Sequence, residues 1–162
     1  MRERPTARVL LLDPDGRIAL MKGRWPWDLA GPSFWFTVGG GLEAGETVLE
    51  AAAREIIEET GVTDARLGSI VWYREALMSD ETGAPWLFKE HYVVAYTAGG
   101  ALSREGWDAL ERASVDDLRW WTLDELRLAD ERVFPEGLAE LLPDVLAGVF
   151  ADEPLVIGVV ED

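Results

Sequence analysis

Three glutamates are spaced so that a helix would gather their carboxylates on one side. Glu55 is followed by Glu58 and Glu59, and side chains three and four positions apart are neighbours on a helix surface. A hard divalent cation would offset their mutual repulsion, because Mg²⁺ prefers carboxylate and water oxygens and binds alongside substrate phosphates. The pattern therefore predicts a metal-assisted phosphate site or, as the alternative, a solvated acidic helix face.

The helix that would carry these glutamates is predicted over residues 47–60. Thr47 and Glu50 have the spacing of a capping box, and Gly61 suits the C-terminal cap. The second and third glutamates then lie in the last turn, where the helix dipole disfavours acidic residues. This unfavourable position favours the metal site over the solvated face.

The packed side of this helix is predicted from its apolar residues. Those at helical spacing are Val48, Leu49, Ala52, Ala53 and Ile56. We expect the glutamates to project away from this stripe, with Arg54 pairing with Glu58 one turn later. The glycines at 39–41 precede the helix and would let the backbone approach bound phosphates closely.

The segment 40–62 resembles the Nudix box, a pattern of glycines, glutamates and an Arg-Glu pair at fixed spacing. The matching positions are Gly40, Glu46, Arg54, Glu55, Ile56, Glu58, Glu59, Gly61 and Val62. The resemblance implies a Mg²⁺-dependent hydrolase, with Mn²⁺ as a substitute, that cleaves a pyrophosphate bond in a nucleoside triphosphate or a nucleoside diphosphate derivative. A Nudix-fold module that binds a nucleotide without hydrolysis is the alternative.

The resemblance also implies roles for single residues. The positions that match metal-binding groups of the family are Glu55, Glu58, Glu59 and the backbone carbonyl of Gly40. Arg54 matches the residue that orients these carboxylates, and Glu46 matches the position that supports the loop. The catalytic candidates are Glu58, Glu59, Arg54 and Glu46. The base stays open between a glutamate of the box and one on a later segment, for which the candidates are Glu90, Glu105 and Glu111.

Two kinds of residue outside the box are candidates for a functional role. Arg24, Trp25 and Trp27 lie in an aromatic loop before the glycines. The two tryptophans could stack on the base of the substrate, and Arg24 could contact its phosphates. The same tryptophans could instead plug one edge of the sheet. His91 is the only histidine and the chain has no cysteine, so a zinc site of the usual ligand types is not expected.

The order of predicted elements indicates a single α/β (α+β) domain over residues 1–162 with a mixed β-sheet between helices. The resemblance implies that this domain is a Nudix-type α/β/α sandwich. A Pro-Asp-Gly turn predicts a hairpin across residues 9–21. Further strands are predicted at residues 33–38, 67–73, 87–97 and 118–122. Further helices are predicted at residues 123–128 and 137–149.

The charge of the chain limits its partners. Lys and Arg number 15 against 31 Asp and Glu, a net charge of −16, which argues against binding a nucleic-acid polymer or an anionic membrane. We expect a cytoplasmic protein with a small nucleotide-like substrate, and a homodimer stays open. The sequence also leaves the nucleotide itself open, because the subfamily marks of the family expected near residues 77–80 are absent.

Overall fold

One mixed eight-stranded sheet organises the protein, and helices pack on both of its faces. The computed structural model describes residues 1–26, 28–80 and 82–161. The strands are β1 (Arg2–Leu12), β2 (Ile18–Gly23), β3 (Phe34–Gly41), β4 (Arg66–Ser79), β5 (Pro85–Tyr96), β6 (Val115–Trp121), β7 (Val133–Phe134) and β8 (Leu155–Gly158). The helices are α1 (Val48–Thr60), α2 (Ala109–Ser114), α3 (Leu123–Arg127) and α4 (Leu138–Leu146).

The sheet has the strand order β6-β2-β3-β1-β5-β4-β8, and β7 pairs with β3. The predicted hairpin between β1 and β2 is confirmed only at its tip, where Leu12 pairs with Ile18. Asp13 holds that turn, because its Oδ1 accepts the backbone N–H of Arg17 at 2.8 Å. Beyond the tip, β3 pairs with β2 through its first half and with β1 through its second half, which brings the glycines at 39–41 beside β1.

Two apolar layers lie on opposite sides of the sheet, because side chains alternate along each strand. On one side α1 packs Ala51, Ala52 and Ile56 against strand residues. On the other side α4 packs its apolar residues, including Leu142, in a layer that contains Trp121. The layers confirm the predicted class, with a mixed sheet between helices. Among the described residues no helix is long and apolar enough to span a membrane.

The caps of α1 are those predicted, but its packed side is rotated. Thr47 forms the capping box with Glu50, and Gly61 closes the helix with φ 73°. The predicted stripe was wrong at Leu49, which is 42% exposed, and at Ala53, which is also exposed. The expectation that all three glutamates project away from the packed side was wrong as well, since Glu59 is only 3% exposed. Its burial turns the helix so that the last turn faces the end of β3.

Element boundaries differ from prediction mainly at the ends of strands and helices. The hairpin strands β4 and β5 extend over Arg66–Ser79 and Pro85–Tyr96, further than their apolar runs. Helix α4 ends at Leu146, since Gly148 adopts φ 71°. The short elements α2, β7 and β8 were not predicted, and β8 lies at the sheet edge beside β4.

Candidate active site

The end of β3 meets the last turn of α1 at two glycines. The backbone N–H of Gly39 donates to Oε1 of Glu59 at 2.8 Å. Gly39 has φ 141°, and a Cβ there would lie 2.0 Å from the carbonyl oxygen of Ala7. A Cβ on Gly40 would lie 2.5 Å from Oε1 of Glu55. The clash at Gly39 is with backbone and requires glycine, whereas a side chain at position 40 would displace the carboxylate of Glu55.

Arg54 holds the outer carboxylates of α1 and the loop together. Its Nε and Nη2 each donate to Glu46 at 2.8 Å, a bidentate pair. Its Nη1 donates to Glu55 at 2.9 Å and to Glu58 at 3.2 Å, as the spacing predicted for Glu58. Nη2 also reaches the carbonyl oxygen of Gly41 at 3.2 Å. The hydrogen bond from Arg54, followed by the backbone N–H of the loop, lowers the pKa of Glu46 to about 2.

Glu59 is a buried carboxyl group beside a second carboxyl group. Burial raises the pKa of Glu59 well above its usual value, and the neighbouring charge of Glu55 raises it further. The two carboxyl groups are within hydrogen-bonding reach of each other. A cation would relieve the repulsion that remains when both are ionised.

The donor set fits a hard divalent cation, because it consists of carboxylate oxygens beside a backbone turn. The fit is not complete as the side chains stand: within residues 1–26, 28–80 and 82–161, no three or more Asp, Glu or His side chains surround one point. The expected convergence of all three box glutamates is therefore not seen. Glu58 is 48% exposed and pairs with Arg54, whose guanidinium neutralises its charge. Of the three box glutamates, only Glu55 and Glu59 lie close together.

A cavity of about 860 Å³ opens beside this cluster. Its charged and aromatic lining consists of the acidic residues Glu43, Glu55, Glu58, Glu59, Glu75, Glu90, Asp108 and Glu111, the cations Arg4, Arg8, Arg24, Arg54 and Arg74, and the aromatic residues Trp25, Phe34, Phe36, Phe88, Tyr92 and Phe134. Its size suits a small organic ligand, for which pockets of roughly 300–1,000 Å³ are usual.

The substrate-contact candidates stand at one wall of this cavity. The ring of Trp25 lies 5.2 Å from that of Phe34 and is tilted by 49°. Arg24 forms an ion pair with Asp116 and donates to the carbonyl oxygen of Gly31 at 3.1 Å, so its charge is already engaged. Trp27 lies outside the described residues.

The three candidate general bases differ in their burial and in whether they line the cavity. Glu111 lines the cavity, and burial raises its pKa, while hydrogen bonds from the backbone of Asp108 and with Glu59 oppose the rise. Glu90 also lines the cavity but is buried in ion pairs. Glu105 is exposed and is absent from the described lining.

His91 lies beside the ring of Tyr73 at 5.2 Å and is likewise not part of that lining. Burial and then the charge of Lys89 lower its pKa. His91 therefore packs against the side chain of its cross-strand partner on β4.

Sequence reasoning missed several lining residues that lie outside the box. Arg8, Arg74 and Phe134 come from three different strands, and only pairing of the sheet brings them together. One signal was available, because Arg8 is a charged residue beside the apolar run 9–12. A charge beside a buried strand usually has a partner or a ligand.

The comparison with protein families decides the identity. A family model for the NUDIX domain matches residues 2–144. The chain belongs to the Nudix family. It is 33% identical over 129 residues to an RNA pyrophosphohydrolase of Caulobacter vibrioides, a match that covers 75% of this chain and 73% of that protein.

Solved structures have the same Nudix fold. A UDP-X diphosphatase superposes with a TM-score of 0.63 at 18% identity, over 96% of this chain and 67% of that one. A MutT protein from Bacillus halodurans superposes with a TM-score of 0.59 at 21% identity, over 98% and 92%. Together with the family match and the curated relative, the box identifies a Nudix hydrolase that acts on pyrophosphate bonds.

Proposed function

We propose that this Nudix hydrolase uses Mg²⁺, or Mn²⁺ as a substitute, to cleave the pyrophosphate bond of a small nucleotide. The substrate class is a nucleoside triphosphate or a nucleoside diphosphate derivative, bound by one domain over residues 1–162. The observation that carries the proposal is the buried Glu59 beside Glu55, held by Gly39 in the lining of the cavity.

The chain's own residues divide the work of binding and orientation. Glu55 and Glu59, with Glu58 after release from Arg54, supply the metal-binding oxygens, together with the carbonyl oxygen of Gly40. Arg54 positions Glu55 and ties the loop through Glu46. When bound, the cation neutralises charge on the pyrophosphate oxygens and lowers the pKa of the attacking water.

The base of the nucleotide is assigned to the aromatic wall of the cavity. Trp25, Phe34 and Phe36 form a continuous set of ring contacts there. Aromatic side chains stack on any base, since every base has a π face. Arg24 stands beside this wall and would approach a phosphate or the ribose only by loosening its pair with Asp116.

Among the candidate bases, Glu111 is favoured to accept the proton of the attacking water. It lines the cavity, and it lies within hydrogen-bonding reach of Glu59, whereas Glu90 is held by two guanidinium groups. A group that lies at the site and has a raised pKa suits proton transfer near neutral pH.

The RNA pyrophosphohydrolase among the relatives raises RNA as a second substrate. The net charge of −16 opposes a long polyanion but tolerates a small one screened by a cation. A mononucleotide is therefore the proposed substrate, and an RNA oligonucleotide with a 5′-triphosphate is the comparison that tests this choice.

The test is a phosphate- and pyrophosphate-release assay across a nucleotide panel with Mg²⁺, with Mn²⁺, and with excess EDTA. We expect turnover of at least one mononucleotide that EDTA abolishes and Mg²⁺ restores. Full turnover in EDTA contradicts the metal proposal, and a preference for the RNA oligonucleotide contradicts the mononucleotide. Tight nucleotide binding without turnover would support the non-hydrolytic alternative.

A further inference from the structure

The loop 103–108, which precedes α2, lies against the last turn of α1. The indole Nε1–H of Trp107 donates to the backbone carbonyl oxygen of Glu59 at 2.8 Å, and this bond is buried. The backbone N–H of Ser103 donates to the carbonyl oxygen of Thr60 at 2.8 Å. Because the last carbonyl groups of a helix have no partner within the helix, the loop supplies donors that α1 itself lacks.

The loop approaches α1 closely enough to depend on glycine. A Cβ on Gly106 would lie 2.4 Å from the backbone carbonyl oxygen of Glu58, and a Cβ on Gly61 would lie 2.8 Å from Cβ of Ser103. The contact at Gly106 is with backbone, which no side-chain rotation can relieve. A displacement of the loop would therefore move the turn of α1 that carries Glu58 and Glu59.

Neutral donors stand where a cation usually ends a helix. Lys and Arg are favoured in the last turn, where the helix dipole is negative, but α1 has no basic residue there. The carbonyl groups of Glu59 and Thr60 are held instead by an indole N–H and a backbone N–H. These donors satisfy the helix end without adding a further positive charge beside Glu59, where it would compete with a bound metal ion.

Glu59 is thereby held through both its side chain and its main chain. The carboxylate accepts from the backbone N–H of Gly39 at 2.8 Å, and the backbone carbonyl accepts from Trp107. The two anchors come from different segments, the end of β3 and the loop before α2. Removing a group that orients a metal-binding residue typically costs about 10- to 100-fold in metal affinity.

Trp107 is in turn held by a guanidinium group. Its backbone carbonyl oxygen accepts from Nε of Arg112 at 3.1 Å. Nη2 of Arg112 also donates to the carbonyl oxygens of Arg104 at 3.3 Å and of Glu105 at 3.2 Å. Cζ of Arg104 lies 5.2 Å from the centroid of the Trp107 ring. Arg112 therefore ties the loop to α2 and supports Glu59 through Trp107.

We propose that Trp107 is a positioning residue for the carboxylate pair of Glu55 and Glu59. By holding the main-chain carbonyl of Glu59, it fixes the last turn of α1 in the orientation that lets the two carboxylates bind one divalent cation. Trp107 is outside the described lining of the cavity, so it acts through Glu59 and not on the substrate. This inference rests on the proposed use of Mg²⁺ or Mn²⁺.

The direct test is Trp107→Phe, which keeps an aromatic ring and removes the N–H. Binding of Mn²⁺ without nucleotide, measured by electron paramagnetic resonance of the free ion, should weaken by about 10-fold or more. The matched control is Trp120→Phe, because Nε1 of Trp120 also donates to a backbone carbonyl, that of Gly100, at 2.8 Å. Trp120 is outside the described lining as well, and Trp120→Phe should leave the Mn²⁺ affinity unchanged.

A second control separates metal binding from stability, since the bond of Trp120 is exposed and that of Trp107 is buried. Trp107→Phe leaves a buried carbonyl without its donor and should lower the melting temperature without metal by about 2 °C or more. Val145→Ala, in the apolar layer on the other side of the sheet, should also lower the melting temperature but not the Mn²⁺ affinity. Equal weakening of Mn²⁺ binding in Val145→Ala or Trp120→Phe overturns the assignment.

Arg112→Gln tests the same contacts through an exposed residue and decides the matter if Trp107→Phe does not fold. Loss of its bonds to the loop should weaken Mn²⁺ binding, by a smaller factor than Trp107→Phe. The sign is informative, because removing a positive charge by itself makes the protein more negative and strengthens cation binding. Arg127→Gln, an exposed arginine of α3 paired with Asp124, is the charge control and should not weaken binding. Unchanged or tighter binding in Arg112→Gln contradicts the role of the loop.

These measurements distinguish the positioning role from the proposed function. If Mn²⁺ binds but no nucleotide is hydrolysed, the proposed function fails, and the comparison of variants still decides on Trp107. If turnover requires Mg²⁺ but Trp107→Phe folds with wild-type Mn²⁺ affinity, the positioning role is overturned and the proposed function stands. Wild-type protein that binds no Mn²⁺ overturns the positioning role as well.

Discussion

The backbone N–H of Gly39 donates to the carboxylate of Glu59 across 2.8 Å, joining the end of β3 to the last turn of α1. An acidic residue in the last turn is opposed by the helix dipole. The hydrogen bond to Gly39 holds Glu59 there, buried beside Glu55. This position of Glu59 destabilises the fold when no metal is bound and favours a bound cation. The first two predictions rest on this.

Glu59→Gln should cut kcat by at least ~10²-fold, about 2.7 kcal/mol of transition-state stabilisation. The amide keeps the volume of the side chain but lacks the charge that a hard cation requires. Steady-state kinetics at saturating Mg²⁺ measure this, with Glu140→Gln on the exposed side of α4 as the control for charge alone. Near wild-type turnover in Glu59→Gln would count against the assignment, as would activity lost only because the protein unfolds.

Without metal, the free energy of unfolding should depend on pH in the direction set by the raised pKa of Glu59. Burial, and then Glu55, raise that pKa in the folded state, so the folded protein holds a proton that the unfolded chain releases above its usual pKa near 4.5. Stability is therefore lost as pH rises through the interval from that value to the folded pKa. In EDTA at neutral pH, Glu59→Gln should unfold at least about 2 °C above wild type, and the difference should vanish below the usual pKa.

Glu46, in the same box, should give the opposite dependence of stability on pH. Arg54 lowers its pKa to about 2, so the stability it contributes is present above the usual pKa and is lost as pH falls towards 2. Glu46→Gln should thus lower the melting temperature at neutral pH but not near pH 2. Thermal unfolding of both variants over the same pH range checks the pair. Parallel curves for the two variants would contradict both assignments.

Local sequence was sufficient to predict α1 and its caps, but not the residues that strand pairing brings into the cavity lining. Thr47, Glu50 and Gly61 cap their own helix, so no distant contact was needed to predict its ends. The packed side of that helix depends on Glu59 reaching Gly39, a contact between residues 20 positions apart. For this reason the stripe with Leu49 was wrong. A 3.6-residue period fixes the spacing of a face, but tertiary contacts fix its centre.

The ion pair between Arg8 and Glu90 shows the same limit more strongly. Arg8 and Glu90 are 82 positions apart, and β1 meets β5 only as parallel strands within the sheet. The edge strand β8 was also missed, because its four residues form a strand only by pairing beside Trp72 and Tyr73. The box itself was predictable, since its residues share one motif and Arg54 contacts only neighbours within 13 positions.

Trp25→Ala should raise KM more than it lowers kcat. Trp25 lines the cavity and packs against Phe34, so removing it takes away surface that binds ground state and transition state equally. Stacking on a base is worth about 1–3 kcal/mol, a factor of roughly 10–100 in KM. Trp86→Ala, a tryptophan outside the described lining, is the control. Unchanged kinetics with a lower melting temperature would show that Trp25 only plugs the sheet edge.

Alanine at Gly39 and at Gly40 should separate folding from chemistry. At Gly39 the new Cβ would meet the backbone oxygen of Ala7 at 2.0 Å, and φ 141° is itself unfavourable for alanine. The conformation alone costs about 1–3 kcal/mol, so Gly39→Ala should lower the melting temperature by at least about 4 °C. At Gly40 the new Cβ meets Oε1 of Glu55 at 2.5 Å, which is the movable end of a side chain.

Gly40→Ala should therefore fold with a melting temperature within about 2 °C of wild type, while Glu55 is displaced from Glu59. Its kcat should fall by about 10-fold or more, and the Mg²⁺ concentration for half-maximal activity should rise, because the carboxylate pair is disturbed. Thermal unfolding and metal titration of both variants measure the contrast. A stable Gly39→Ala, or a Gly40→Ala that keeps wild-type metal dependence, would mean that the glycine turn does not position the carboxylates as described.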